Sequence, residues 1–174
     1  MQIIRETISN FSKLVPFSGD DKFEFNDLLV AIELLNRESF YFNKIELVKQ
    51  CDETSFTFNL PFQSVLQMIN NILINAIKAF EELEINKKIK IVAEFDRKVF
   101  YIKIYDNASK IPFKDINTIF DYGVSSTGGS GIGLYHAKYL CDLYKGKIEV
   151  FELDDKDEYN KYFLITLPLL NENK

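Results

Sequence analysis

The run LPFQSVLQMINNILINAIKAFEE at residues 60–82 limits the fold more than any other stretch, because it is long enough for one helix of about six turns with two unlike faces. At about 100° per residue, Val65, Ile69, Ile72, Leu73, Ala76 and Phe80 gather on one side, and Asn71, Asn75 and Lys78 fall within about 60° of one another on the other. A helix so divided has to lie on a hydrophobic layer. Its polar face reads in two ways. It is either a solvated surface or a place where carboxamide oxygens meet a cation while the ammonium meets an oxyanion.

The chain is long enough for one domain with a sizeable core: 174 residues, 47% hydrophobic, with 16 Phe and 9 Tyr. A formal charge of −5 argues against a broad nucleic-acid footprint and leaves room for a local anion pocket. Cys51 and Cys141 lack zinc-ligand spacing and do not suggest a disulfide framework, so buried thiols in a reducing cytoplasm are expected. No apolar run reaches the ~18 to 20 residues of a membrane span, and no signal core follows the N-terminus. This segment is therefore expected to be cytoplasmic and to make no membrane contact itself, in a full-length protein that is either free or anchored in the inner membrane.

Residues 1–15 place Ile4, Ile8, Phe11 and Val15 at helical spacing before Pro16 and Gly19 break the pattern, which predicts a short helix and a linker. NDLLVAIELLNR at 26–37 predicts a helix capped by Asn26. Aromatic and β-branched runs at 41–49 and 55–59 predict a hairpin. KKIKIVAEF at 87–95 and VFYIKIYD at 99–106 predict a second one, with Ile89, Ile91, Ala93 and Phe95 on one face, and Phe100, Ile102 and Ile104 on another that Asp106 continues towards the interior. Residues 107–130 hold only a short helical piece near 113–120 and end in GVSSTGGSG, an irregular stretch of the kind that carries function. A glycine-rich first turn opens a helix over 131–144, closed by Lys145 and Gly146, and a last hairpin spans 147–153 and 161–167. Together these predict an α+β fold: a two-layer α/β sandwich with a mixed, mostly antiparallel sheet and helices on one face.

A polar helix face, a core-facing carboxylate at a strand end, a glycine-rich loop and a helix opening on glycines occur here in order. Glycines allow close backbone approach to phosphates, free amides at a helix start favour anions, and the buried carboxylate needs a donor such as an adenine amino group. The motifs NNILINAIKAF, DNASKIP, IFDYGVSST and GGSGIGLYHAKYL resemble the N box, first glycine box, F box with ATP lid, and second glycine box of the GHKL (Bergerat) ATP-binding fold, in the version found in catalytic domains of bacterial sensor histidine kinases. The resemblance spans residues 25–167 and divides the chain into the end of a dimerisation helix with linker, 1–24, and a catalytic ATP-binding domain, 25–174.

The resemblance implies ATP and Mg2+ as cofactors. It assigns Asn75 as metal ligand with Asn71 beside it, Lys78 to a terminal phosphate, and Asp106 to the adenine amino group. Gly129, Gly131, Gly133 and Leu134 would wrap the phosphates with Ser126 and Thr127 of the lid, Phe120 would hinge or dock that lid, and Thr166 would reach the adenine end through water. Ala108 and Lys110 stand where the first glycine box carries glycines, and Thr127 stands where many relatives carry Lys. Hydrolytic relatives carry a Glu one turn before the metal-binding Asn. Here that position is Asn71, an amide that cannot take a proton, so transfer to an acceptor is expected rather than hydrolysis. The acceptor His would lie on an upstream dimerisation helix, since the chain's one histidine, His136, sits in the second glycine box in an aromatic-flanked surface or packing role. Expected partners are the dimerisation and phosphoacceptor domain of the same kinase and a response regulator, with a homodimeric full-length protein and no nucleic acid. Two alternatives remain: a degenerate module with weak or no ATP binding that acts by protein contact, and a serine kinase of the anti-sigma-factor type.

Overall fold

The computed structural model describes residues 22–51, 57–81, 83–96, 98–125, 127–154 and 156–168, so the stripe predicted at 1–15 and the lid residue Ser126 lie outside the described residues. In chain order the elements are β1 (Lys22–Glu24), α1 (Phe25–Phe42), β2 (Ile45–Cys51), β3 (Thr57–Asn59), α2 (Phe62–Ala79), β4 (Lys87–Phe95), β5 (Val99–Asp106), a 3-10 turn (Ile116–Phe120), α3 (Gly133–Leu143), β6 (Lys147–Glu152) and β7 (Lys161–Pro168). Five strands form one sheet in the order β2-β4-β5-β7-β6, parallel only between β2 and β4.

Strand alternation decides which face the helices cover. Ile89, Ile91, Ile102, Ile104, Phe163, Ile165 and Leu167 are fully buried, and Val65, Ile69, Ile72, Leu73 and Ala76 of α2 belong to the same core. Their neighbours Tyr101, Lys103, Tyr105 and Tyr162 stay half-buried on the other side. This is the predicted two-layer sandwich, with the predicted hairpins β4–β5 and β6–β7 in place.

The hairpin expected across 41–59 does not form. Tyr41 and Phe42 end α1 instead, both more than three-quarters exposed, and Lys44 turns the chain with φ 54°. β2 then pairs in parallel with β4, and β3 pairs with β1, so residues 22–24, expected in the linker, join a separate two-stranded sheet. Aromatic strand propensity near 41 yields here to long-range pairing. Asn26 is not the cap of α1 either. Glu24 is, closing a capping box with Asp27, whose Oδ2 accepts the Glu24 N–H at 3.4 Å. Phe95 is 40% exposed although the rest of its row is buried, because β4 reaches its end there.

The closure of α3 divides its work between two residues. Lys145 takes the left-handed conformation, φ 57°, and the N–H groups of Lys145 and Gly146 reach the carbonyls of Asp142 and Cys141 at 3.0 and 2.9 Å. Gly146 is needed for space: a Cβ there would sit 2.5 Å from the Thr166 carbonyl oxygen and 2.9 Å from the Cys141 sulfur.

Candidate functional site

The polar face of α2 forms one wall of a small cavity of about 60 Å³. Asn71 and Asn75 are half-buried there and Lys78 is exposed near the helix end. The opposite wall is Val124, Ser125, Thr127, Gly129, Ser130 and Gly131, followed by Gly133 and Leu134 at the start of α3. The adjacent asparagines Asn70 and Asn71 part company. Asn70 turns away and its Oδ1 accepts from Asn36 Nδ2 at 2.9 Å, tying α2 to α1, whereas Asn71 Nδ2 is buried with no partner in the fold. An orphaned buried donor of this kind suits a ligand oxygen.

A larger cavity of about 500 Å³ adjoins the first, sharing Asn75, Lys78, Ile119 and Thr127, and continues past Ala79 and Glu81 to Ser109, Lys110, Ile111, Pro112 and Lys161. Its size falls in the range of small-molecule sites. Among the described lining residues are the lysines Lys78, Lys110 and Lys161 and one acid, Glu81.

Asp106 is fully buried, as its place on the core-facing row predicts. Its surroundings are not what the sequence led us to expect. β5 and β7 pair with Asp106 opposite Lys161, whose Nζ lies 2.6 Å from Asp106 Oδ1 and 2.7 Å from the Ser109 carbonyl oxygen. Oδ1 also accepts from the Ala108 amide at 3.0 Å, while Oδ2 has no partner. Burial pushes the Asp106 carboxyl above the usual carboxylate range, opposed by the Lys161 ammonium and the Ala108 amide. Lys161, and not Asp106, lines the cavity. Its signal in the sequence was only its strand register, since a lysine beginning a strand ordinarily reads as solvent-facing.

The loop after Asp106 dispenses with the glycines of its motif. Ala108 is fully buried and is not among the described residues with positive φ. Asn160 Nδ2 reaches the carbonyls of Asn107 and Ala108 at 3.1 and 2.9 Å, and Asn107 clasps the edge of β4 through Lys88 N at 2.7 Å and the Asn86 carbonyl at 2.7 Å. Side-chain bonds thus hold a loop that any L-residue can adopt.

The lid is built on glycine and one hydroxyl. Ser125 Oγ accepts from the amides of Thr127 and Gly129 at 3.3 and 2.9 Å. Gly131, at φ 67°, passes so close to the preceding turn that a Cβ would lie 2.3 Å from the Gly123 carbonyl carbon, and the Gly123 N–H bonds the Gly131 carbonyl at 3.2 Å. The first turn of α3 has neither a side-chain cap nor an acidic residue, and its Gly133 and Leu134 line the small cavity.

The structure brings together Asn71, Asn75, Lys78, Lys110, Thr127, Gly129, Gly131, Gly133 and Leu134 around the two cavities. Phe120 packs beneath them, 5% exposed and edge-on to Phe163 at 6.2 Å, while its neighbour Ile119 lines both. Thr166 is misplaced by the sequence reading: it lies on the strand face opposite Lys161 and five residues further along β7, away from both cavities. His136 stacks on Tyr139 at 6.2 Å on α3, in keeping with a packing role.

Comparison with known proteins matches residues 62–171 to the family described as histidine kinase-, DNA gyrase B- and HSP90-like ATPase. The chain is 38% identical over 106 residues to the signal transduction histidine-protein kinase ArlS of Staphylococcus epidermidis, covering 56% of this chain and 22% of that protein. It is 32% identical over 120 residues to a probable C4-dicarboxylate sensor kinase of Bacillus subtilis, covering 67% and 22%. It therefore spans about a fifth of the length of these relatives. Among solved structures, the catalytic domain of histidine kinase ThkA superposes with a TM-score of 0.72 at 23% identity, over 85% of this chain and 96% of that one. ThkA in complex with the response regulator protein TrrA gives 0.71 at 22%, over 88% and 42%.

Proposed function

The chain belongs to the histidine kinase-, DNA gyrase B- and HSP90-like ATPase family, and from that membership we propose that it is the ATP-binding catalytic domain of a sensor histidine kinase, handing the γ-phosphoryl group of ATP to a histidine on an upstream dimerisation helix for relay to a response regulator. The single observation that carries this reading is the lining of the small cavity. Asn71 and Asn75 stand opposite a glycine lid, and no Asp, Glu or His is among the described lining residues. A phosphate bound there has donors around it and no general base to activate water, which favours transfer to an acceptor brought from outside.

In this reading the phosphates lie between α2 and the lid. The Asn71 amide donates to a phosphate oxygen, the Lys78 ammonium neutralises terminal charge, and the backbone of Gly129, Gly131 and Gly133 closes over the chain of phosphates. Thr127 contacts the same groups from the lid. The base occupies the larger cavity, with Lys110 at its rim and Asp106 behind its floor. Among the described residues no cluster of three His, Cys, Asp or Glu offers a cation site. A metal ion would therefore be held by the Asn75 carboxamide oxygen, with Asn71 beside it, together with the nucleotide. Mg2+, a hard cation that keeps few protein ligands and takes phosphate oxygens, fits that donor set. When bound it supplies charge neutralisation at the phosphates. Asn75 and Asn71 would orient it, and positioning against the acceptor histidine would carry the rest of the rate.

The same reading places the catalytic domain at 25–174 and the end of a dimerisation helix and linker before it. Its partners are the phosphoacceptor domain of a homodimeric kinase and the response regulator. The chain alone should bind ATP without labelling itself, and a protein carrying the upstream histidine should take up label from γ-labelled ATP. Asn75→Ala should remove both. Failure of the intact parent to label under stimulating conditions, with nucleotide bound, would refute the kinase reading. Against the scaffold alternative, which rested on Ala108 and Lys110, the loop at Ala108 needs no positive φ, and Lys110 lines a cavity that still measures about 500 Å³.

A further inference from the structure

We propose that Lys161 reads the base of the nucleotide, donating an N–H to the ring acceptor on the base-pairing edge of a purine. This rests on the nucleotide reading above. An ammonium carries three N–H groups. Two are engaged, with Asp106 Oδ1 at 2.6 Å and the Ser109 carbonyl at 2.7 Å. Lys161 lines the larger cavity, and its side chain is 2% exposed, so the third N–H is withheld from bulk water. Behind it, Asp106 is fully buried and does not line the cavity, yet its Oδ2 has no partner. The two residues are locked as opposite neighbours on β5 and β7, and Asn160 fixes the adjoining loop. The floor therefore presents a donor, with the carboxylate behind it and out of the lining.

Adenine meets this donor with N1 accepting from Lys161, while Asp106, which does not line the cavity, holds the ammonium in place. A keto purine reverses this edge, with O6 accepting and N1–H donating, so in the same pose its N1–H would meet the Lys161 donor. If Asp106 alone read the base, the amino group would be indispensable. With Lys161 as reader, the acceptor is indispensable and the amino group is not. A buried donor left unmatched discriminates strongly between otherwise similar ligands.

Calorimetry of the 174-residue chain with Mg2+ and three nucleotides tests this. Purine riboside triphosphate, which keeps N1 and has hydrogen for the amine, should bind within about threefold of ATP, and 1-deaza-ATP, with C–H for N1, should bind roughly tenfold or more weakly. Lys161→Met, checked for folding by circular dichroism, should bind ATP and 1-deaza-ATP alike. If that variant does not fold, the nucleotide series on the unaltered chain decides alone. The proposal is overturned if 1-deaza-ATP matches ATP, or if purine riboside triphosphate is lost, whatever 1-deaza-ATP does. Inorganic triphosphate binding as tightly as ATP would also overturn it while leaving the phosphate site intact. Binding of none of these ligands would overturn both this proposal and the nucleotide reading on which it rests.

Discussion

Replacing Gly131 by alanine tests how the lid is held. The left-handed backbone at φ 67° costs an alanine about 1–2 kcal/mol relative to glycine. The added Cβ would lie 2.3 Å from the Gly123 carbonyl carbon, 2.5 Å from Val124 N and 2.6 Å from Val124 O. Carbon contacts settle near 3.5 Å, so these are overlaps of about 1 Å with backbone that no rotamer change relieves. The turn at Gly123 and the lid at Gly131 must separate, losing the 3.2 Å hydrogen bond between them, worth about 1 kcal/mol. The sum, roughly 2–3 kcal/mol against this lid conformation, sets an upper bound of about 30- to 150-fold on the loss of nucleotide affinity. Gly128→Ala is the matched control. Its φ of 69° carries the same conformational cost, but nothing lies within 4 Å of the added carbon. Calorimetric titration of ATP with Mg2+ should therefore show Gly131→Ala several-fold weaker than Gly128→Ala, while thermal unfolding of the two stays similar because neither glycine is in the sheet or its covering helices. Equal affinities would refute the claim that the Gly123–Gly131 contact holds the lid over the phosphates.

Gly146→Ala should act on stability instead: its Cβ meets the Thr166 carbonyl oxygen at 2.5 Å and Leu167 at 2.8 Å, so guanidinium denaturation should show a loss of about 2–3 kcal/mol with little change in slope. Burial raises the Asp106 carboxyl above its unfolded value, so between about pH 4 and its folded value the folded state binds more protons than the unfolded chain. The contribution of Asp106 to stability should thus fall as pH rises through that window, and Asp106→Asn should erase that part of the slope in denaturation measured at several pH values. Cys141 is buried with its thiol pushed up to about 12, so at pH 8 an alkylating reagent should leave it unmodified in the native protein and modify it once guanidinium unfolds the chain, as mass spectrometry of the peptides would report.

The parts of the site that could be read in advance are those encoded by a local repeat. Asn71, Asn75 and Lys78 share a face because 3.6 residues make a turn, and Val65 to Ala76 bury the other face for the same reason. Asp106 points inward because it continues a row of alternate residues. The glycines of the lid are legible because few other residues permit a positive φ at Gly131.

What escaped the sequence depends on which distant segment lies alongside. A period assigns a residue to a face and says nothing about its partner. β2 therefore reads as half of a hairpin until β4 proves to be its neighbour, and Thr166 reads as near the base until β7 turns it to the outer face. Lys161 is the clearest case. Alone it is a charged residue opening a strand. Only the pairing of β5 with β7 sets it against a carboxylate 55 residues away and buries both, because a lone charge in that position would be too costly to desolvate. The amphipathic helix, the inward carboxylate and the glycine lid were decided by local sequence. The residue that stands between that carboxylate and the cavity was decided by the tertiary structure.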